Sequence, residues 1–459
     1  MFLVRFPAAK DTAWLQAGAM LVLTAATLSA LLAPSLFWLL LLALVALGVG
    51  FLAYRHLTVF SVVWLLVCGA TPEMALSDLL GPAAFQPTIA LVKAAEILLA
   101  LLCMLRHGPR LDMFNPAWAF VMIAVTGLLH GLHPGLTPAD SLRSLIGSVA
   151  PFVFCFCRTP PAWAPAIIRA SKWCPLLVVA AAVPLDIAGL RPLFVESGGE
   201  RLGGLGHPAF LAGVCLAAIY ACLIDLYRDG KRAELALLAA NMTILVLTGA
   251  RAPLACAAGV LVLSMAVVRS TAFPPRYRLC LGLGICALLP VVVLLAGDLP
   301  SVRLFNLLSS DAANLSGRQY LWPFFEHAAA ASPWVGWGIG AGNTIILPGN
   351  AVAQLLHTRA AHNEYLRIEV EGGHLGRAVM LLMFILWVRH HTARLPHTER
   401  RVLRLVFLAL ACHAVTDNVL ISTPSCVLFA LVAALFARAE ARTSTASRGS
   451  ALPDSPRMA

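Results

Sequence analysis

Residues 207–227 read HPAFLAGVCLAAIYACLIDLY, and the only fully charged side chain among them is Asp225. A helix rises about 1.5 Å per residue, so a run of this length reaches ~30 Å, the thickness of a bilayer's hydrocarbon core. In that medium no water satisfies backbone N–H and C=O groups, so the run must close its hydrogen bonds within itself, as a helix. Similar apolar runs lie near 13–33, 35–54, 57–76, 88–105, 114–132, 140–157 and 173–190. Others follow near 233–249, 252–268, 278–297, 365–388, 402–419 and 424–438, fourteen in all, and hydropathy allows one pair to be re-entrant.

The composition agrees. Of the 459 residues 60% are hydrophobic and 12% charged, against about 45–50% and about 25% in soluble globular chains. A soluble enzyme, a disordered chain and a small disulfide scaffold are excluded, because too little polar surface is available to cover so large an apolar total. The expected fold is all-α, a polytopic integral membrane protein of about 12–14 transmembrane helices with one large external segment containing short helices. Its expected parts are an N-terminal helix bundle at 1–297, the large segment at 298–364, C-terminal helices at 365–438 and a disordered tail at 439–459. The run at 13–33 is longer than the 7–15 residues of a signal-peptide core, so it reads as a retained first span. The twelve cysteines fall in or beside apolar runs without a CxxC pair, so they read as packing residues.

Lys and Arg number 33 against 22 Asp and Glu, a net charge of +11. With the N-terminus placed in the cytoplasm, most of these cations fall in loops on the cytoplasmic side, as the positive-inside rule requires. That places both termini inside and removes nucleic acid as a partner, since the charge is dispersed over many short loops. The minority on the outer side is more informative: Arg191, Arg201, Arg251, Arg303, Arg318 and Arg359.

Three of them lie in the long outer segment. Ser316 and Gln319 form a capping-box pattern, which predicts a helix start with Arg318 in its first turn. A cation there is poorly placed unless an anion arrives to neutralise it and the helix end together. Trp322 and Pro323 suggest that this helix bends or lies along the interface. In PWVGWGIGAGN, Gly338 and Gly340 belong to an alternating glycine series that permits close backbone approach to a ligand, or else builds a structural loop. His362 and Asn363 stand where the next helix enters the membrane, with Asn363 as N-cap. A helix N-terminus disfavours imidazolium, which keeps His362 neutral and able to accept a proton; the alternative is a polar interfacial anchor. Glu369, Glu371, His374 and Arg377 descend the same helix, where Glu371 and Arg377 suit a structural pair. Arg251 stands in a very short turn between two spans, and Arg201 in a Gly-rich connection before Pro208; each could also be a snorkelling anchor. Glu73 and Asp78 read as solvated. Without a carboxylate cluster on the outer side, neither a metal nor another cofactor is expected.

The ordered series RLGGLGHPAFLA (201–212), GAR (249–251), SGRQYLW (316–322), PWVGWGIGAGN and HNEYLRIEVEGGHLG (362–376) resembles the O-antigen ligase and polymerase superfamily of bacterial cell envelopes. Ala250 departs from the Ser expected before the arginine. The resemblance implies a multi-pass glycosyltransferase of the bacterial inner membrane, with the large segment periplasmic. In the ligase branch a glycan moves from undecaprenyl pyrophosphate to the lipid A–core of lipopolysaccharide. Carried over by motif, Arg251 and Arg318 hold the pyrophosphate, Arg201 assists and His362 is the base; these first two arginines and His362 are the candidate catalytic residues. Arg201, Asn363, Gly338, Gly340 and Glu369 are candidate substrate-binding residues. The expected partners are that lipid-linked donor, the lipid A–core acceptor and membrane lipids. A polymerase or a protein O-oligosaccharyltransferase would use the same donor. A glycan or lipid flippase is the alternative of another class, for which the sequence offers no internal repeat.

Overall fold

A computed structural model describes residues 20, 34–196, 199–284, 320–347, 349–356 and 358–449. Contact density divides the chain after Leu57 into two units. In the first, α1 (Pro34–Arg55) is an apolar helix with Arg55 in its last turn. The second, from Thr58, takes in all of α2 (Leu57–Ala70) but its first residue, then α3 (Pro72–Leu80), α4 (Phe85–His107), α5 (Ala117–His130), α6 (Pro138–Val149) and α7 (Trp163–Ile187). They continue as α8 (Pro208–Asp229), α9 (Arg232–Leu247), α10 (Arg251–Val267) and α11 (275–284). The last are α12 (Trp322–Ala331), α13 (Ala351–Leu356), α14 (Glu364–Ala393), α15 (His397–His413) and α16 (Thr423–Gly449). A two-stranded antiparallel ribbon, β1 (Phe194–Glu196) and β2 (Glu200–Leu202), precedes α8.

The protein is all-α and polytopic. Among the described residues six helical stretches are long and apolar enough to cross a membrane: 82–107, 138–156, 163–187, 208–229, 364–393 and 423–442. Apart from most of 13–33 and most of 278–297, which lie outside the described residues, every expected apolar run coincides with helix over most of its length. Several are shorter than a span, for identifiable reasons. Run 57–76 breaks at Thr71, which adopts a left-handed φ of 48° just before Pro72. Run 140–157 changes at Ala150 from α-helix to a buried 3-10 helix, Ala150–Phe156, next to Pro151.

Helix α8 forms the centre, buried along nearly its whole length and flanked by α7, α9, α10, α15 and α16. Its small residues Ala212, Ala217, Ala218 and Ala221, all fully enclosed, let the neighbouring helices approach closely, as packing in lipid favours. A second group, α4, α5, α6 and α14, joins through the 3-10 helix, where Phe152 lies tilted against Phe429 of α16, ring centroids 4.4 Å apart, and edge-on against Trp387 of α14. At one end of the bundle, Lys172 bonds Asp225 at 2.6 Å and Glu234 at 2.7 Å, and Arg438 bonds Asp225 at 2.7 Å and Glu399 at 2.8 Å. That network ties α7, α8, α9, α15 and α16 together; the candidate residues stand at the opposite end of α8.

Candidate active site

His362 is the last residue but one before α14 and adopts a left-handed φ of 45°, a conformation uncommon outside glycine. The strain is held by contacts on both sides. Asn363 caps the helix through Oδ1, which accepts from Leu366 N at 3.1 Å. Glu364 N donates to Ala414 O at 2.8 Å, and Tyr365 hydroxyl to Ala411 O at 2.8 Å, stitching the helix start to the end of α15. Trp322 Nε1 donates to Ala361 O at 2.9 Å, so the beginning of α12 is fixed against the same loop.

This stitching carries Asp417, four residues past the end of α15, to His362: Nδ1 stands 3.2 Å from Asp417 Oδ1. On the other side of the ring, Nε2 stands 3.0 Å from Thr358 Oγ1, which itself accepts from Ala360 N at 3.2 Å. The hydrogen-bond network assigns the proton to Nδ1, donated to the carboxylate, and leaves Nε2 as acceptor of the Thr358 hydroxyl. The imidazole is partly exposed, 28% for its side chain, so a substrate hydroxyl can reach the position that Thr358 occupies. Asp417 also faces His413 Nε2 at 3.9 Å.

Arg201 and Arg251 come together. Arg201 is paired with Val195 in the ribbon, is buried, and donates from Nε to Thr248 O at 2.8 Å. Thr248 lies three residues before Arg251, the first residue of α10, whose Nε is buried without a hydrogen-bond partner among the described residues. Helices α10 and α15 run antiparallel, with Cys256 Sγ on Ala409 O at 3.4 Å and Arg401 on Val267 O at 2.9 Å. Five residues beyond the Cys256–Ala409 level, about 7.5 Å along each axis, stand Arg251 and Ala414. Ala414 O is the acceptor of Glu364 N, so Arg251 and the His362–Asp417 pair occupy the same level at the same end of the bundle.

The glycine loop has a different neighbour. Helix α14 is interrupted at Gly373, φ 62°, which would leave backbone groups on either side unpaired. Trp337 N and Gly338 N take Val370 O and Glu371 O, each at 2.9 Å, while His374 N and Leu375 N find Pro333 O and Trp334 O at 2.7 and 3.1 Å. Gly338, φ 87°, is buried against Gly127 of α5, where a Cβ would meet Leu132 Cδ2 at 2.5 Å. Gly340 packs on Ser144 of α6. Both are enclosed by protein. The loop also borders an open concavity of about 520 Å³ between His133, Phe324, His327 and Trp337.

The acidic residues of α14 pair differently from the expectation. Glu371 bonds Arg367 at 2.6 Å, and Arg367 also bonds Glu364, all three buried. Arg377 pairs instead with Glu369, which His374 Nδ1 also approaches at 2.9 Å. The cause is helical phase: the four-residue spacing of 367 and 371 aligns them on one face. Glu73 is fully buried rather than solvated and accepts from Thr423 Oγ1 at 2.5 Å, whereas Asp78 remains 63% exposed beside Arg191. Arg318 and the Ser316–Gln319 capping pattern lie outside the described residues; the described helix starts at Trp322, with Pro323 in the first turn where its missing N–H costs nothing.

Residues 235–381 match the family model described as O-antigen ligase. That segment contains Arg251, the glycine loop and His362, and it leaves out Arg201 and Asp417. No protein of curated function matches the chain.

Proposed function

We propose, from the premise that residues 235–381 carry an O-antigen ligase domain, that this multi-pass membrane protein is an O-antigen ligase. It transfers a glycan from undecaprenyl pyrophosphate to a sugar hydroxyl of lipid A–core at the periplasmic face of the bacterial inner membrane. The observation that carries the reading is His362 oriented by Asp417, on one level with the Nε of Arg251, which has no hydrogen-bond partner among the described residues.

The acceptor hydroxyl takes the place of Thr358 at His362 Nε2 and gives up its proton there. Its oxygen attacks the anomeric carbon as the bond from that carbon to the pyrophosphate oxygen breaks, with inversion. Asp417 holds the tautomer and stabilises the imidazolium that forms, and general-base assistance of this kind contributes about 10²–10⁴-fold. Arg251 meets the charge growing on the leaving pyrophosphate, with Arg201 and Arg318 supporting it; a single donor so placed is worth about 10²–10³-fold. No step requires a metal.

Purified protein given lipid-linked glycan, with or without lipid A–core, tests the assignment. Label on lipid A–core is the expected result. Lengthening of the carrier-bound chain instead would make the protein a polymerase, and no transfer to either would reject the enzyme reading.

A further inference from the structure

A groove of about 580 Å³ runs between α14 and α15 on the outside of the bundle, where Leu381, Ile385 and Leu408 are exposed. Its wall between Arg377 and Arg389 is apolar, with Leu381, Phe384, Ile385 and Val388 facing Phe407 and Leu408. Twelve residues of helix separate those two arginines, about 18 Å. That is close to one leaflet of a ~30 Å hydrocarbon core and well short of both.

The end of the groove away from His362 is cationic. Arg404 lines it and donates from Nε to Thr392 Oγ1 at 3.0 Å, which draws its guanidinium over the turn of α14 that begins at Arg389. Arg389 lies three residues before Thr392, one turn away on the same helix, and lines the same groove as Arg404. Among the described residues neither makes an ion pair with a carboxylate. The carboxylates at this end of the bundle are engaged elsewhere: Asp112 with Trp387 and His391, Glu399 with Arg438 and Arg442, Glu440 with Arg110 and Arg394. Two guanidinium groups on one groove, neither in an ion pair among the described residues, present planar donors of the kind that bind a phosphodiester bidentately.

We infer that this groove is a binding site for an anionic glycerophospholipid of the leaflet on the Arg389 side, its phosphate on Arg389 and Arg404 and an acyl chain against Phe384 and Ile385. The apolar wall accommodates one leaflet's depth of chain, and the cations stand where the headgroup of that leaflet lies. The polyprenyl tail of a donor whose headgroup sits at His362 would present no charge at this end.

Native mass spectrometry of the full-length protein in detergent, titrated with dioleoyl phosphatidylglycerol or dioleoyl phosphatidylcholine, reads the site directly. One phosphatidylglycerol is expected to be retained at least tenfold more tightly than phosphatidylcholine. Arg389→Gln with Arg404→Gln removes that preference, the double Lys variant keeps most of it, and Ile385→Trp, which fills the groove, weakens binding of either lipid. Equal retention of the two lipids overturns the inference, as does an unchanged preference in the Gln variant. Displacement of phosphatidylglycerol by undecaprenyl phosphate at lower concentration also overturns it and assigns the groove to the carrier. The readout is bound lipid, so it stands or fails independently of any transferase activity.

Discussion

At the scale of single residues, the imidazole of His362 is made useful by a partner that periodicity does not reveal. His362 itself was legible, because a histidine and an Asn N-cap at the start of an apolar helix constrain each other's position. Asp417 was not. It is 55 residues away in sequence, and hydropathy averages it into the run at 402–419 although α15 ends at His413. The bonds of Glu364 N and Tyr365 hydroxyl to α15 help bring the two together. Asp417→Asn keeps the shape and can still hydrogen-bond, but it removes the charge that stabilises imidazolium. Transfer is expected to fall by at least about 10²-fold, with thermal unfolding little changed. His362→Ala should abolish transfer in the same donor-plus-acceptor assay while the protein still inserts; full activity of that variant would reject the site. Arg251→Ala should behave likewise, and Arg251→Lys should recover only part of the rate, because a point charge replaces a fork of donors.

At the scale of elements, the sequence identified helices well and their ends less well. Apolar content decides that a segment is helical in lipid, but Thr71, Pro151 and Gly373 decide where each helix breaks. The alternating glycines were legible as a close approach of backbone to something; that something is α14 and α5, for Gly338 at least. Gly373→Ala tests the arrangement. A Cβ there would stand 2.5 Å from Val335 N, on a residue with positive φ. Backbone strain alone costs about 1–3 kcal/mol, so the variant should unfold at lower temperature and lose protection of the amides of Trp337 and Gly338 in hydrogen exchange. Near this loop, burial pushes the His133 imidazole below its ordinary value, with Thr344 Oγ1 at 3.1 Å from Nδ1. A base that is harder to protonate folded than unfolded stabilises the fold at high pH. That contribution declines as pH falls below about 6.5, where the unfolded chain begins to take up the proton first. The drop in unfolding temperature from pH 7.5 to 5.5 should therefore be smaller in His133→Gln than in the parent.

At the scale of the whole molecule, the two ends of the bundle hold their charge in different ways. At the Arg438 end, cations and carboxylates interlock: Lys172, Asp225, Glu234, Glu399, Arg438 and Arg442 connect five helices, and most of their pairs are half-buried or buried. Breaking such a pair from one side leaves a charge stranded, so this end is fixed in position. At the His362 end, by contrast, the buried Nε of Arg251 has nothing to donate to among the described residues, which is how a protein keeps a place for an incoming anion. By the positive-inside rule we propose that the interlocked, cation-rich end faces the cytoplasm and the His362 end the periplasm. Single cysteines placed in a cysteine-free background check this. Leu355→Cys, at a position 79% exposed near the His362 loop, should react with a membrane-impermeant maleimide added to intact spheroplasts. Arg394→Cys, at the other end of α14, should react only after the membrane is opened. The reverse pattern would place the site on the cytoplasmic side, where a periplasmic acceptor could not reach it, and the proposed reaction would have to be abandoned with the orientation.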